Sequence, residues 1–206
     1  MTNKLPIFIT GVGTGIGKTI VSAVLVEKLK ADYWKPVQSG DLENSDTQKV
    51  KSLITNTTSV FHPEAYRLTQ PYSPHKSAAI DGITITKEKF VLPATNNTLI
   101  VEGAGGLMVP LNNQFLMIDL IKQLKADVIL VSRNYLGSIN HTLLSVYALK
   151  QHQIPVKGII FNGIKDAYSE DFILEYSGLR LLGYIPEYEI IDKKAIIEAG
   201  NCVGEW

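Results

Sequence analysis

The sequence predicts an α/β fold, a single domain in which a mostly parallel β-sheet is flanked by helices on both faces. Three observations predict it. Short apolar runs recur along the chain and end at glycine or polar turns. Longer stretches with apolar residues at helical spacing separate them. The short runs are apolar throughout, as strands covered on both faces must be. At 206 residues the chain fits one sizeable domain, here residues 1–206, with no repeat, low-complexity tract or linker to divide it.

In order, "LPIFIT" (5–10) reads as a buried strand and "KTIVSAVLVEKLK" (18–30) as a helix. "DYWKPV" (32–37) reads as a second strand, closed by Pro36 and the turn-like "QSGD". Residues 40–97 are less regular, and only a helix near 45–53 is expected there, with Ser45 or Asp46 as its cap. Strands are then expected at 98–103, 127–132, 156–162 and 181–186, and helices at 117–125, 139–152 and 168–178. Right-handed crossovers put the carboxyl ends of parallel strands, and the loops after them, along one edge of the sheet. That edge is where chemistry is expected.

Composition narrows the function classes. Twenty basic and twenty acidic residues cancel, so no global field draws the protein to nucleic acid or to a membrane. Cys202 is the only cysteine and forms no internal disulfide, which suits a reducing compartment. With no leader pattern and no apolar run near ~18 residues, a cytoplasmic protein is expected.

The first strand leads into "GVGTGIGKT", with glycines at 11, 13, 15 and 17. Glycine lets backbone N–H groups close on an anion, and the free N–H groups of the following helix face the same point. Gly13, Thr14, Gly15, Ile16 and Gly17 would wrap a nucleotide's phosphates, with Lys18 on the β/γ-phosphates and the Thr19 hydroxyl on Mg²⁺. The strict pattern asks for glycine at position 12, where Val12 stands, and Gly11 is one place early. A P-loop NTPase-like fold follows, but a phosphate loop names no reaction.

The other strand ends carry the rest. Lys35, beside Pro36, is a cation placed to stabilise a developing oxyanion, or else a solvated lysine; Ser39 follows in the next turn. Glu102 ends the strand "LIVEG" as a carboxylate suited to Mg²⁺ or its water, with a turn acid as the alternative. Asp46 is a second carboxylate that alone reads as a helix cap. The helix N-terminus at Gly137–Ser138–Ile139–Asn140 suits a carboxylate ligand, while His141 in its first turn reads as structural. Asn162 offers both a donor and an acceptor to a purine edge, or fixes a turn. "PYSPHKSA" sets His75 and Lys76 beside Pro74, where a helix could start.

Together, "TGVGTGIGKT", "YWKPVQSGD", "NSD", "PYSPH", "VEGAGGLMVPL", "LGSINHTLL", "FNG" and "GYIP" resemble the dethiobiotin synthetase family across nearly the whole chain. These are ATP-dependent carboxylases that close the ureido ring in biotin synthesis. "KPVQSG", "VEGAGG" and "GSINH" are specific as a set, and the family's phosphate loop carries an extra residue after its first glycine, which accounts for Val12. The resemblance implies a homodimer and a reaction of 7,8-diaminononanoate with CO₂ and ATP through a carbamate and its mixed anhydride with phosphate. It implies that Lys18 and Thr19 hold the triphosphate and Mg²⁺ and that Asp46 and Glu102 complete the metal site. Lys35 would stabilise the carbamate and the transferring phosphoryl group, with Ser39 beside the substrate. Asn140 and the backbone at Gly137, Ser138 and Ile139 would take the diamine's distal carboxylate from the partner subunit. Asn162 would contact adenine, with Pro186 and Glu187 in the adenine–ribose loop. Several members carry acids in the phosphate loop where Gly13 and Gly15 stand here, so no role for such an acid carries over.

Two rivals share the fold. A partitioning-type ATPase switch usually has a lysine near the start of the phosphate loop, and "TGVGTGIGKT" has none before Lys18. An amidotransferase related to cobyrinate synthetases needs a glutaminase domain with a reactive cysteine, for which this chain has no room.

Overall fold

The computed structural model describes residues 5–205; residues 1–4 and 206 of the expected domain lie outside the described residues. Eleven strands and seven α-helices follow one another. The first half runs β1 (Ile7–Gly11), α1 (Lys18–Leu29), β2 (Asp32–Trp34), β3 (Val37–Ser39), α2 (Asp46–Leu53), β4 (Phe61–His62), β5 (Tyr66–Leu68) and α3 (Pro74–Ile80). The second runs β6 (Leu99–Gly106), β7 (Pro110–Asn112), β8 (Phe115–Leu116), α4 (Met117–Leu124), β9 (Asp127–Ser132), α5 (Ser138–Gln151), β10 (Val156–Gly163), α6 (Ala167–Ser177), β11 (Leu181–Pro186) and α7 (Lys193–Asn201).

Seven strands form one sheet in the order β11-β10-β9-β1-β6-β2-β4, and every pairing in it is parallel. Side chains alternate between faces, so the continuous apolar strands feed two cores. On β1, Ile7 and Ile9 pack with Val21, Val24 and Leu25 of α1 and with Ile196 of α7, whereas Phe8 packs with Ile118 and Ile121 of α4. On β10, Ile160 joins the α1 side, while Ile159 and Phe161 meet Val146 of α5 and Ile173 of α6. Helices therefore cover both faces, as expected from the sequence.

The second strand departs from the reading of 32–37. It stops at Trp34, because Pro36 has no N–H for the ladder, and Val37–Ser39 pairs with β5 in a separate two-stranded sheet. The break turns the chain at Lys35, above the sheet edge. After β1 the chain moves toward the β4 edge of the sheet to β2, whereas after the neighbouring β9 it moves toward the β11 edge to β10, so the loop after β1 opens on the crevice where doubly wound sheets hold their ligands. No helix among the described residues is long and apolar enough to cross a membrane.

Candidate active site

The phosphate loop hangs between β1 and α1. Gly15 and Gly17 both have positive φ, 74° and 94°, and a Cβ on Gly17 would overlap Asn162 Nδ2. Asn162, at the end of β10, donates that same Nδ2 to Ile16 O at 3.0 Å, so two strand ends pin the loop. Lys18 begins α1 and its Nζ donates to Gly13 O at 2.7 Å, folded back inside the loop. Burial pulls the Lys18 pKa down to about 8, with Lys35 pushing in the same direction.

Beside the loop a charged cluster is built by strand periodicity. Tyr33 on β2 shares the α1 face of the sheet with Ile100 on β6, Glu102 follows Ile100 two residues on along β6, and Lys35, just past the end of β2, reaches the same carboxylate. The Glu102 carboxylate is 1% exposed and receives three donors: Thr19 Oγ1 at 2.9 Å, Tyr33 OH at 2.9 Å and Lys35 Nζ at 3.0 Å. Lys35 also reaches Asp46 Oδ2 at 2.7 Å and Gly103 O at 3.1 Å. Burial works against the Lys35 ammonium, but Glu102 and Asp46 outweigh it and hold its pKa above the ordinary value. Burial likewise opposes the Asp46 carboxylate, and Lys35 outweighs it and lowers that pKa. Burial, with Glu102 second, keeps the Tyr33 hydroxyl protonated well above its usual range.

Asp46 arrives from the irregular segment by a definite route. It opens α2, whose Ser45 cap forms a reciprocal capping box with Gln48. Its backbone N–H donates to Gln38 Oε1 at 3.2 Å, and Gln38 Nε2 donates to Gly40 O at 2.9 Å, which ties α2 to β3.

These groups open on a cavity of about 620 Å³ lined by Thr14, Gly15, Gly17, Lys18, Thr19, Lys35, Ser39, Asp46 and Glu102. Sequence reasoning picked all nine; it missed the rest of the lining, Val37, Gln38, Pro71–Pro74, Ala104, Gly105 and Val109. The quoted run "PYSPH" was the available signal. Ser39 Oγ is buried with no hydrogen-bond partner among the described residues. A smaller cavity, about 440 Å³, lies on the other flank of the loop between Val12–Ile16 and Arg133, Tyr135 and His141. His141 Nδ1 shares a hydrogen with Tyr135 OH at 2.8 Å. Glu187 accepts from Arg133 Nη2 at 2.8 Å beside Pro186 at the end of β11. Among the described residues, those lining the main cavity do not include Gly137, Ser138, Ile139 or Asn140, which sit at the start of α5.

The donor set fits a hard divalent cation. One hydroxyl and two carboxylates converge, while among the described residues no three His, Cys, Asp or Glu side chains gather to cage a metal alone. Mg²⁺ is held in this way when substrate phosphates supply further oxygens.

A parallel sheet with a glycine-rich loop after its central strand, a lysine and a hydroxyl opening the next helix, and a carboxylate on the neighbouring strand defines a P-loop nucleoside triphosphatase. The fold is shared with a ParA family ATPase from Chlorobium tepidum TLS (12% identity, TM-score 0.60, 96% of this chain and 99% of that one). It is shared equally with the MinC:MinD cell division protein complex of Aquifex aeolicus (14% identity, TM-score 0.61, 96% and 95%). The family model described as an AAA domain, AAA_26, matches residues 6–195. Much nearer in sequence are the ATP-dependent dethiobiotin synthetase BioD of Christiangramia forsetii, 52% identical over 93% of this chain and 92% of that one, and that of Cytophaga hutchinsonii, 50% identical over 92% of each. The chain belongs to the dethiobiotin synthetase family.

Proposed function

We propose that the protein makes dethiobiotin from 7,8-diaminononanoate, CO₂ and ATP, working in the cytoplasm and releasing ADP and phosphate. The observation that carries this reading is the Lys35 ammonium, lodged at 2.7 Å and 3.0 Å from the carboxylates of Asp46 and Glu102 and facing the same cavity as the phosphate loop and Ser39. An ATPase switch needs only a water at that place. A buried cation with an unpartnered hydroxyl beside it suits a second, anionic reactant.

The chemistry assigns the roles. One amine of the substrate adds to CO₂ and loses a proton, giving a carbamate. A carbamate oxygen takes the γ-phosphoryl group from ATP, ADP leaves, and a mixed anhydride forms. The second amine attacks the carbonyl carbon, the phosphate leaves with that oxygen, and the cyclic urea closes. Every step needs alignment and charge neutralisation rather than a side-chain nucleophile. Lys35 neutralises the carbamate and the equatorial oxygens of the transferring group. Lys18 leaves Gly13 O for the β/γ-phosphates, and the loop N–H groups from Gly13 to Gly17 hold them. Thr19, Asp46 and Glu102 would hold Mg²⁺, which would supply charge neutralisation to the triphosphate. Ser39 Oγ offers the amine-bearing end of the substrate a hydrogen-bond partner. Asn162 keeps its Nδ2 on Ile16 O, so its Oδ1 is the atom left to accept from an adenine amine, with Pro186 and Glu187 alongside.

The distal carboxylate of the diamine goes to Gly137–Asn140 at the N-terminus of α5, supplied by a second copy in a homodimer. Two features support the dimer. In one copy those residues stand apart from the main cavity, and the outer faces of α5 and α6 leave Leu144, Tyr147, Tyr168 and Tyr176 exposed. The test is incubation of pure protein with diaminononanoate, bicarbonate, Mg²⁺ and ATP, with the cyclic urea sought by mass spectrometry. ATP turnover that ignores the diamine and yields no urea would sink the proposal.

A further inference from the structure

The lining of the main cavity includes an aromatic side chain that the reaction chemistry does not use. Tyr72 is half exposed and lines the cavity together with Pro71, Val37 and Val109. Its place is set by neighbouring backbone. Gly40 has φ 68°, and a Cβ there would stand 2.7 Å from Pro71 Cα, so glycine lets the 71–74 segment close against the end of β3. Ser73 O then accepts from the N–H groups of Lys76 and Ser77 as α3 begins, both at 3.0 Å. One helical turn later the Lys76 ammonium sits 3.8 Å from the centre of the Tyr72 ring. A cation over one face of the ring fixes its tilt. Gly105 has φ 65°, and a Cβ there would stand 2.7 Å from Val109 Cγ2, so glycine lets Val109 pack close beside it in the cavity lining.

The cavity lining therefore combines two chemistries: the ammonium, hydroxyl and carboxylates of Lys35, Ser39, Asp46 and Glu102, and the apolar surfaces of Tyr72, Pro71, Val37 and Val109. We infer that Tyr72 is a specificity-determining residue whose ring packs on the methylene chain of the diamine and selects for chain length, with Lys76 as its positioning residue. This rests on the functional reading above and deepens it. With the vicinal amines at Lys35 and Ser39, the hydrocarbon tail packs on the apolar part of the lining, in which Tyr72 supplies the one aromatic ring among the described residues.

The experiment compares Tyr72→Ala, Tyr72→Phe and Lys76→Met on diaminononanoate and on a homologue three methylenes shorter. Loss of contact with about two methylenes raises KM for the long substrate ~10-fold or more in Tyr72→Ala. The same variant shifts kcat/KM for the short homologue less than about twofold, since that chain ends before the ring. Tyr72→Phe restores the wild-type preference, because the ring face and not the hydroxyl makes the contact, and Lys76→Met gives a smaller rise in KM of the same pattern. An active wild type whose Tyr72→Ala variant loses both substrates equally, or neither, overturns this inference and leaves the functional reading standing. A wild type that forms no urea from diaminononanoate overturns the functional reading and this inference with it.

Discussion

Replacing Lys35 with alanine perturbs two properties that the structure ties to one atom. In the free protein the ammonium is 4% exposed and pairs with Glu102, 1% exposed, and with Asp46, 24% exposed. Removing it leaves two carboxylates facing each other with no cation between them. Breaking a buried pair in this way costs about 3–5 kcal/mol, and the partial exposure of Asp46 argues for the low end, about 3 kcal/mol. In a domain of this size about 3 kcal/mol lowers Tm by roughly 6–12 °C. Millimolar Mg²⁺ should recover part of the loss in the variant and change the wild type little, because in the wild type the lysine already neutralises the site. On turnover, losing a donor aimed at developing charge costs ~10²–10³ in kcat. Affinity for the nucleotide should fall far less, since in the proposed assignment Lys18 and the loop N–H groups hold the triphosphate. The assays are thermal denaturation with and without Mg²⁺, ATP titration by calorimetry, and steady-state urea formation. Equal losses in kcat and in ATP affinity, together with an unshifted Tm, would refute both the transition-state role of Lys35 and its place as resident counter-charge.

Other expectations follow from single features. Lys18 titrates at about 8 in the free protein and regains its charge against a triphosphate, so ATP binding at pH 8 takes up roughly half a proton, and at pH 6.5 less than about a tenth. Calorimetry in buffers of differing ionisation enthalpy reads that uptake; its absence at pH 8 contradicts the burial of Lys18. By the same sign, the unfolded chain holds this proton up to 10.5, so raising pH between about 8 and 10.5 favours the folded free protein through this group. Gly17→Ala places a Cβ at φ 94° against Asn162 Nδ2, which should cost about 1–3 kcal/mol of stability and weaken ATP binding by loosening the loop. Alanine tolerated there with full ATP affinity would mean that Asn162 does not pin the loop. Glu102→Gln keeps one acceptor oxygen, for Thr19, but puts an amide donor where the other oxygen accepts from Tyr33 and removes a charge, and should raise the Mg²⁺ concentration needed for half activity ~10–100-fold.

What could be read from sequence divides along physical lines. Strands at 127–132 and 181–186 match β9 and β11 end for end, because long apolar runs between polar turns leave little choice. The helix reading of 18–30 needs one residue of correction, the last being Lys30 in the left-handed conformation that stops α1. Local pattern failed where tertiary contacts decide. β4 and β5 are two and three residues long and carry no periodicity of their own. α7, in a stretch with two lysines, a glutamate and a glycine, is a helix because Ile196 and Ala199 have the α1 face to cover.

The site shows the same contrast. Its charged half was legible because Lys18 and Thr19 open a helix, Lys35 follows a strand and Glu102 closes an apolar run. The strand expected at 98–103 in fact continues through Glu102 to Gly106. Asp46 alone looked like a helix cap, and the tie from Gln38 that brings it to Lys35 is invisible without the fold. The apolar wall of Tyr72 and Val109 was not seen, since both come from loops whose placement depends on positive φ at Gly40 and Gly105.

The central claim is that the γ-phosphoryl group passes to a carbamate oxygen rather than to water. Single-turnover reaction with bicarbonate carrying heavy oxygen, quenched before exchange with solvent, tests this directly by mass spectrometry of both products. The account predicts one heavy oxygen in the phosphate and one in the urea carbonyl for each ring closed. Urea formed alongside phosphate that carries only unlabelled oxygen would contradict it.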